Sequence, residues 1–350
     1  MKIPTEPIGS IPRPADLLEA MSMQSGRTDL DKLYEKAVID TMTELVRTGS
    51  PVITDGEQTK PSFVTYPLEG LPNIAPGGIR IEFEDGHFRQ LPLLTRGPFR
   101  YANYAVQYLG YAKKQTDVPL KQAVISASAL SLIYPAEGLK DYSKAEFIAD
   151  LVNECEKDIR LCLQQGAYKV QMDFTEGRLS LKLDPSGGLL QQFIDLNNQV
   201  FNRFTDEERE KLGVHVCPGG DHDATHSADV DYRAFIPKLF DLNVRSFYLQ
   251  LASESDPVRV LKTIKQHLKP HQRIFIGVID VINPRIESSE EVMDRVLEAA
   301  QFIPLHQLGT TDDCGFSPFC DDRSTTRQIA FGKIRARVEG TRMAEERLFS

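Results

Sequence analysis

Tryptophan is absent from the 350 residues, cysteine occurs five times, and no run approaches eighteen apolar residues. The short runs exclude a transmembrane helix, and so few, unevenly spaced cysteines exclude a disulfide framework. Positive charge is also in short supply. With 41 Lys and Arg against 50 Asp and Glu, the formal charge is −9 and no basic cluster stands out. That balance rules out a role needing broad neutralisation of a phosphate backbone, so nucleic acid is not an expected partner. The opening Met1-Lys2-Ile3-Pro4-Thr5 lacks the apolar segment of a signal peptide. These absences describe a cytoplasmic protein with reduced thiols and no membrane partner. They leave the oligomeric state open, a homo-oligomer included.

With 41% hydrophobic and 26% charged residues, the chain has a soluble, globular composition and can bury a large core without staples. Short apolar or β-branched runs alternate with helix-period segments, the pattern of βα units around a parallel sheet. Eight candidate strands are Glu6–Gly9, Pro51–Asp55, Gln122–Ser126, Tyr168–Asp173, Gly213–Cys217, Val244–Leu251, Arg273–Val278 and Gln307–Thr310. Candidate helices are Leu30–Thr48, Lys144–Gln165, Gly188–Phe204, Asp231–Asp241, Pro257–Leu268, Ser288–Ala300 and Ser324–Leu348. The expected fold is α/β, a (β/α)8 TIM barrel spanning residues 1–350 as one catalytic domain, with a doubly wound open sheet as the alternative. After the second strand, Gly77 to His87 alternates and turns at Asp85-Gly86. Residues 76–100 are therefore expected to form a β-hairpin insertion.

A barrel places its active site at the C-terminal strand ends. These ends are polar: Ser10, Asp55 and Glu57, Ser126 and Ser128, Asp173, His215 and Cys217, Gln250, Asp280, and Asp312-Asp313-Cys314. Polar residues also mark where any strand exits to solvent, but that does not account for an imidazole and two thiols on strand ends. His215 and Cys217, at i and i+2, point to one face of an extended strand. With Cys314 from across the mouth they make three N/S ligands and an open fourth position, the donor set of a catalytic zinc site. Cys320 is an alternative ligand, although its Pro318-Phe319 setting suggests loop packing. Cys155 and Cys162, seven residues apart on one helix, read as core thiols. His222 and His226 follow Pro218-Gly219-Gly220-Asp221 and read as loop or substrate-lining residues. Arg13, Lys60 and Arg285 fit either an anionic substrate or a solvated surface.

Six segments occur in a recognisable order: Ile8-Gly9-Ser10-Ile11-Pro12-Arg13-Pro14, Asp55-Gly56-Glu57, Gln171-Met172-Asp173, His215-Val216-Cys217, Gly277-Val278-Ile279-Asp280 and Asp313-Cys314-Gly315-Phe316. In this the whole chain resembles the C-terminal, catalytic barrel of cobalamin-independent methionine synthase. Single-barrel relatives of the epoxyalkane:coenzyme M transferase type are included, and Gly309-Thr310-Thr311-Asp312-Asp313-Cys314-Gly315 looks similar to their ending. The resemblance implies a zinc-dependent barrel that moves a methyl group from methyltetrahydropteroyl-glutamate to homocysteine. It implies zinc (Zn2+) at His215, Cys217 and Cys314, and a thiol pocket lined by Ile8, Ser10, Glu57 and Asp173. Glu57, Asp173 and Asp280 are the expected catalytic acids. Two positions depart from the family: Gln250, expected as a fourth, neutral and weaker metal ligand, stands where it supplies a glutamate, and Ile282 where a histidine serves the folate leaving nitrogen.

The expected activity is zinc-dependent S-alkyl or S-methyl transfer, with a small thiol and an alkyl or methyl donor as partners. Homocysteine methylation and alkylation of another thiol, as in epoxyalkane:coenzyme M chemistry, both remain open. A cofactor-free lyase of the uroporphyrinogen decarboxylase kind is the rival reaction class, and a zinc-storing or interaction barrel without activity is the non-enzyme alternative.

Overall fold

The computed structural model describes residues 2–22 and 27–350. Six strands form one parallel sheet: β1 Lys121–Ile125, β2 Lys169–Asp173, β3 Leu212–Val216, β4 Ser246–Leu249, β5 Arg273–Gly277 and β6 Leu308–Thr311. Their spatial order follows the sequence, each strand pairing in parallel with the next. Helices connect them, as parallel pairing requires. Three of these helices begin with a reciprocal capping box, at Ser143/Glu146, Thr205/Glu208 and Ser288/Glu291, which satisfies otherwise orphaned N–H groups.

The first two expected strands are not ladders. Thr5 forms a single parallel bridge to Thr310 and Ile53 one to Leu120, so each segment flanks one edge of the sheet. Proline explains the loss of pairing, because Pro4, Pro7 and Pro51 have no N–H to donate. The two flanking segments meet through Ile11 N–H to Gly56 O (3.0 Å) and Thr54 Oγ1 to Gly9 O (2.8 Å). The strand expected over Val244–Leu251 is cut to Ser246–Leu249. The N–H groups from Leu251 to Ser253 turn instead to the Asp313 carboxylate. Short helices at Ala15–Ser22, Val106–Ala112, Ala127–Ser131 and Glu176–Leu183 fall in stretches without a full helical period. In the expected excursion, Ile74–Ala75 pairs antiparallel with Leu93–Leu94, and Arg80–Glu82 with Phe88–Gln90.

Side chains alternate across β2: Val170 and Met172 join the large apolar cluster, whereas Lys169, Gln171 and Asp173 are buried on the opposite face. That face carries a charged plug. Glu6 pairs with Lys169 Nζ at 3.1 Å and lies 3.9 Å from Lys121 Nζ, with the Tyr248 hydroxyl donating to it. Tyr248 stacks on Phe275 beside Ile8, with ring centroids 4.6 Å apart. On the long C-terminal helix Arg327–Phe349, the buried Arg337 pairs with Asp312 at 2.8 Å and donates to Glu6 O. Asp312 in turn accepts Ile8 N–H, so this one ion pair ties the last helix to the first segment beside the site.

Arg337→Ala is expected to lower unfolding stability by about 3–5 kcal/mol, because it strands a buried Asp312 carboxylate. Urea denaturation measures this, and a loss below about 1 kcal/mol would show the pair to be dispensable.

Candidate metal centre and active site

His215 is the penultimate residue of β3, Cys217 lies just beyond the strand, and Cys314 follows β6 by three residues. One ligand atom from each lies within 4.8 Å of the others, and all three residues are buried. The thiols approach to 2.9 Å, and neither ring nitrogen of His215 has a hydrogen-bond partner. The Cys314 thiol is held well above its ordinary pKa by its hydrogen bond to Cys217 and then by burial. Unpaired imidazole nitrogens in a buried site are costly, and an imidazole converging with two thiols is what a divalent ion with N/S ligands requires.

Backbone geometry fixes the cluster from both sides. After Cys217, Gly219 adopts φ +72°, and a Cβ there would fall 1.8 Å from His226 Nε2, so only glycine lets the loop close over the imidazole. Before Cys314, Asp313 accepts from the N–H groups of Leu251, Ala252 and Ser253 and from the Ser253 hydroxyl. Gly277 leaves room for it, since a Cβ there would lie 1.9 Å from Asp313 Oδ1.

Ile8, Ser10, Glu57, Asp173, His215 and Cys314 line one small pocket of about 30 Å³. Asp173 is the register partner of His215 on the neighbouring strand, and it accepts from Gln171 Nε2 at 2.7 Å. Burial, with Glu57 nearby, pushes its carboxyl up to about 6, while His215 and Lys60 restrain the rise. Glu57 sits at φ +55°, a strained conformation for a non-glycine residue. Asp55 Oδ1 takes its N–H (3.0 Å), Arg13 takes its carbonyl (2.8 Å), and Lys60 Nζ meets its carboxylate at 3.1 Å. Arg13 also donates to the carbonyls of Gln58, Lys60 and Phe319.

Arg13 and Lys60 are thus neither surface charges nor free anion ligands; both are buried and hold the Glu57 loop. Burial pulls the Lys60 ammonium down, but Glu57 and Asp55 outweigh it and hold it above its ordinary value. Arg285 is more than half exposed and pairs with Glu291. Asp280 does not line the pocket; its Oδ1 accepts from Ile282 N (2.9 Å) and Asn283 N (3.3 Å), capping its own loop. Gln250 is likewise outside the lining residues, and its Nε2 donates to Glu254 Oε1 at 3.1 Å. Cys155 and Cys162 are buried in the core.

A larger cavity of about 290 Å³ adjoins this pocket, sharing Phe63, Thr175, Gly219 and Gly220 with it. Cys320 and His226 line this second space and stand outside the thiol–imidazole cluster. Burial, then the charges of Lys182 and Arg178, push the His226 imidazole down to about 3.

Residues 3–339 match the family of cobalamin-independent synthase catalytic domains. The chain belongs to that family. The methionine synthase of Sulfurisphaera tokodaii is 24% identical over 352 residues, covering 99% of this chain and 94% of its own. That of Saccharolobus solfataricus is 22% identical, with 99% and 96% covered. A solved B12-independent methionine synthase from Shewanella sp. W3-18-1, in complex with selenomethionine, superposes with a TM-score of 0.79 at 21% identity, covering 100% of this chain and 99% of that one. The putative vitamin-B12 independent methionine synthase from Listeria monocytogenes gives 0.71 at 19% identity, covering 98% of each. These structural likenesses concern the fold. Among the described residues no helix is long and apolar enough to cross a membrane.

Within this family's frame, one buried acid near the site had no signal in the sequence. Glu176 accepts from both Ser126 and Ser128 hydroxyls through Oε1, while its Oε2 is buried without a partner. It lies in a helix that carries no cap motif to announce it. Burial pushes its carboxyl up to about 7 against the two serine hydrogen bonds.

The folded chain therefore keeps the Glu176 proton to near pH 7, whereas the unfolded chain releases it near pH 4.5. Stability falls as pH rises through that window. Glu176→Gln removes this dependence, so its stability relative to the unaltered protein should improve by on the order of 3 kcal/mol between pH 4.5 and 8.5. Paired urea titrations at the two pH values measure it; a difference that does not change with pH would contradict a buried, protonated Glu176.

Proposed function

We propose that the chain is a zinc-dependent thiol S-alkyltransferase, working on one (β/α)8 barrel whose sheet closes through the segments around Thr5 and Ile53. Residues 76–100 then form its hairpin insertion. The observation that carries the reading is the convergence of His215, Cys217 and Cys314, of which His215 and Cys314 line the pocket that also holds Glu57 and Asp173. The donor set suits zinc: two thiols and an imidazole, buried, with both ring nitrogens unpartnered. Zinc bound there would supply the Lewis acidity that keeps a small thiol ionised at neutral pH.

The chain's own groups do the rest. Asp173, with its pKa near 6, is mostly ionised at pH 7, and Glu57 lies beside it in the pocket wall. The pair suits the ammonium of an amino-acid thiol such as homocysteine and repels a sulfonate. Lys60 holds the Glu57 carboxylate in place, so that its strained backbone does not let it swing away. The first segment contributes Ile8 and Ser10. Ser10 Oγ accepts from Ser317 N–H and its carbonyl accepts Phe316 N–H, which fixes this part of the pocket wall. Asp280 and Gln250 act at one remove, through the loops after β5 and β4. A cofactor-free lyase has no use for the thiol–imidazole cluster, and the acidic pocket argues against a chain that merely stores metal.

Metal analysis of the purified protein should find about one zinc per chain. Cys217→Ser or Cys314→Ser should weaken zinc binding by well over tenfold, because changes outside the ligand shell alone cost about 10–100-fold. The far-ultraviolet circular dichroism should be unchanged. Full zinc in both variants would show the centre to be misassigned.

In calorimetry on the zinc-loaded protein, homocysteine should bind at least about tenfold more tightly than coenzyme M, given the strength of a charge pair in a partly buried pocket. Glu57→Gln should erase most of that preference. The opposite preference would point to a different thiol.

A further inference from the structure

At the other end of the sheet, where the strands begin, four cations share one pocket. Lys169 opens β2, Lys211 precedes β3, Arg245 precedes β4 and Arg273 opens β5. With Glu210 and Ser246 they line a cavity of about 310 Å³. Glu210 is the one carboxylate in that lining, although the chain as a whole carries a formal charge of −9. Arg245 is committed to it, with Nε 3.2 Å from Oε2, and to the His271 carbonyl. Lys169 is committed to Glu6, outside the lining, at 3.1 Å. The other two cations are not committed. Among the described residues neither Lys211 nor Arg273 has a carboxylate partner; Arg273 reaches the His306 carbonyl at 3.4 Å, and its Nε is buried without a hydrogen bond. Like charges gathered in one concavity repel unless a counter-charge sits among them. Lys169 registers this: burial pulls its ammonium below the ordinary value, and Arg273 adds to the fall against the opposing pull of Glu6.

We propose that this pocket binds a phosphoryl dianion, as free phosphate or as a phosphate monoester, between Lys211 and Arg273. The two uncommitted cations match its charge, and an ammonium and a guanidinium fork are the groups that bind phosphate oxygens. The Ser246 hydroxyl accepts from Lys169 Nζ at 3.1 Å and so keeps its own proton for a third oxygen. Donors brought in by β3, β4 and β5 surround a tetrahedral anion better than a planar carboxylate. Tyr168, 43% exposed, lines this pocket and, with Arg273, a neighbouring cavity of about 530 Å³. Its ring gives the organic group of an ester an aromatic face to lie on. The overall negative charge of the chain repels an extended polyanion at long range, so the pocket suits a small ligand rather than a nucleic acid. Lys169 and Asp173 occupy opposite ends of β2, about 13 Å apart at the ordinary rise per residue. The site is therefore separate from the thiol pocket and does not depend on the transferase reading.

Calorimetry with inorganic phosphate, at a constant ionic strength set by chloride, tests the site. Phosphate should bind saturably, and at least about tenfold more tightly than acetate, since each additional hydrogen bond between charged groups is worth that much. Lys211→Met and Arg273→Met keep most of the apolar stem, and each should weaken phosphate binding by about tenfold or more. Glu210→Gln releases Arg245 and should tighten it by roughly twofold to fivefold, the worth of an exposed ion pair; a merely damaged fold does not gain affinity. Adenosine 5′-monophosphate separates the two sources of the ligand. Tighter binding than inorganic phosphate identifies an ester, and no such gain identifies free phosphate. The Cys217→Ser protein should bind phosphate as the unaltered protein does, so a failed metal centre and a failed phosphate site are told apart. Absence of saturable phosphate binding, equal binding of acetate, or an affinity unmoved in both Met variants would overturn the proposal.

Discussion

Burying an imidazole with both nitrogens unbonded beside two thiols in near contact is a poor bargain for a folded chain, since each unsatisfied donor or acceptor costs on the order of 1–3 kcal/mol. Much of the surrounding structure exists to enforce it. The β2–β3 register sets His215 beside Asp173. Asp312 and Asp313, the two residues before Cys314, are spent on Arg337, the Ile8 N–H and the 251–253 backbone. Gly219 lets the Cys217 loop fold onto His226. Cluster and scaffold are thus one problem: the ligand atoms converge while Asp312 and Asp313, the carboxylates next in chain to Cys314, are occupied elsewhere.

The same logic governs the interior charges. Lys60 with Glu57, Arg337 with Asp312, and Glu6 with Lys169 are all almost wholly removed from water. Such pairs add little net stability, yet breaking one is expensive. Their effect is to make alternative packings costly, and each of the first two has an end in a segment that lines the thiol pocket. Arg13 does comparable work with neutral partners, gathering carbonyls from the loops after residues 57 and 317.

The parallel core was legible because β-branched runs and helical periods alternate, and the thiol–imidazole cluster because an H-x-C pair on one strand face is unusual chemistry for a strand exit. The first two strands were overread: their apolar pattern is present, but proline had removed the ladder donors. Lys60 and Arg13 were ambiguous because a lone cation near a strand end looks the same whether it faces water or a buried carboxylate; only the fold brings Glu57 to meet it. Glu176 was invisible for a similar reason, since its serine partners are about fifty residues away. Asp280 and Gln250 were placed by family resemblance, and the structure gives their side chains neighbouring loop partners, Ile282 and Glu254.

Arg89 joins three pieces of chain that are distant in sequence. Its own segment, 88–90, walls the larger cavity; Asp221 lies four residues after Cys217, and Asp321 seven after Cys314. A single guanidinium therefore spans the loops that descend from two of the three proposed zinc ligands. Equilibrium coupling of this kind is reciprocal. If occupancy of the metal centre orders the two loops and so favours the clamped position of the 80–90 segment, filling the cavity must favour metal retention by the same factor. Metal retention and occupancy of the cavity would then be thermodynamically linked rather than independent, with the linkage passing through one side chain that stands outside the thiol–imidazole cluster.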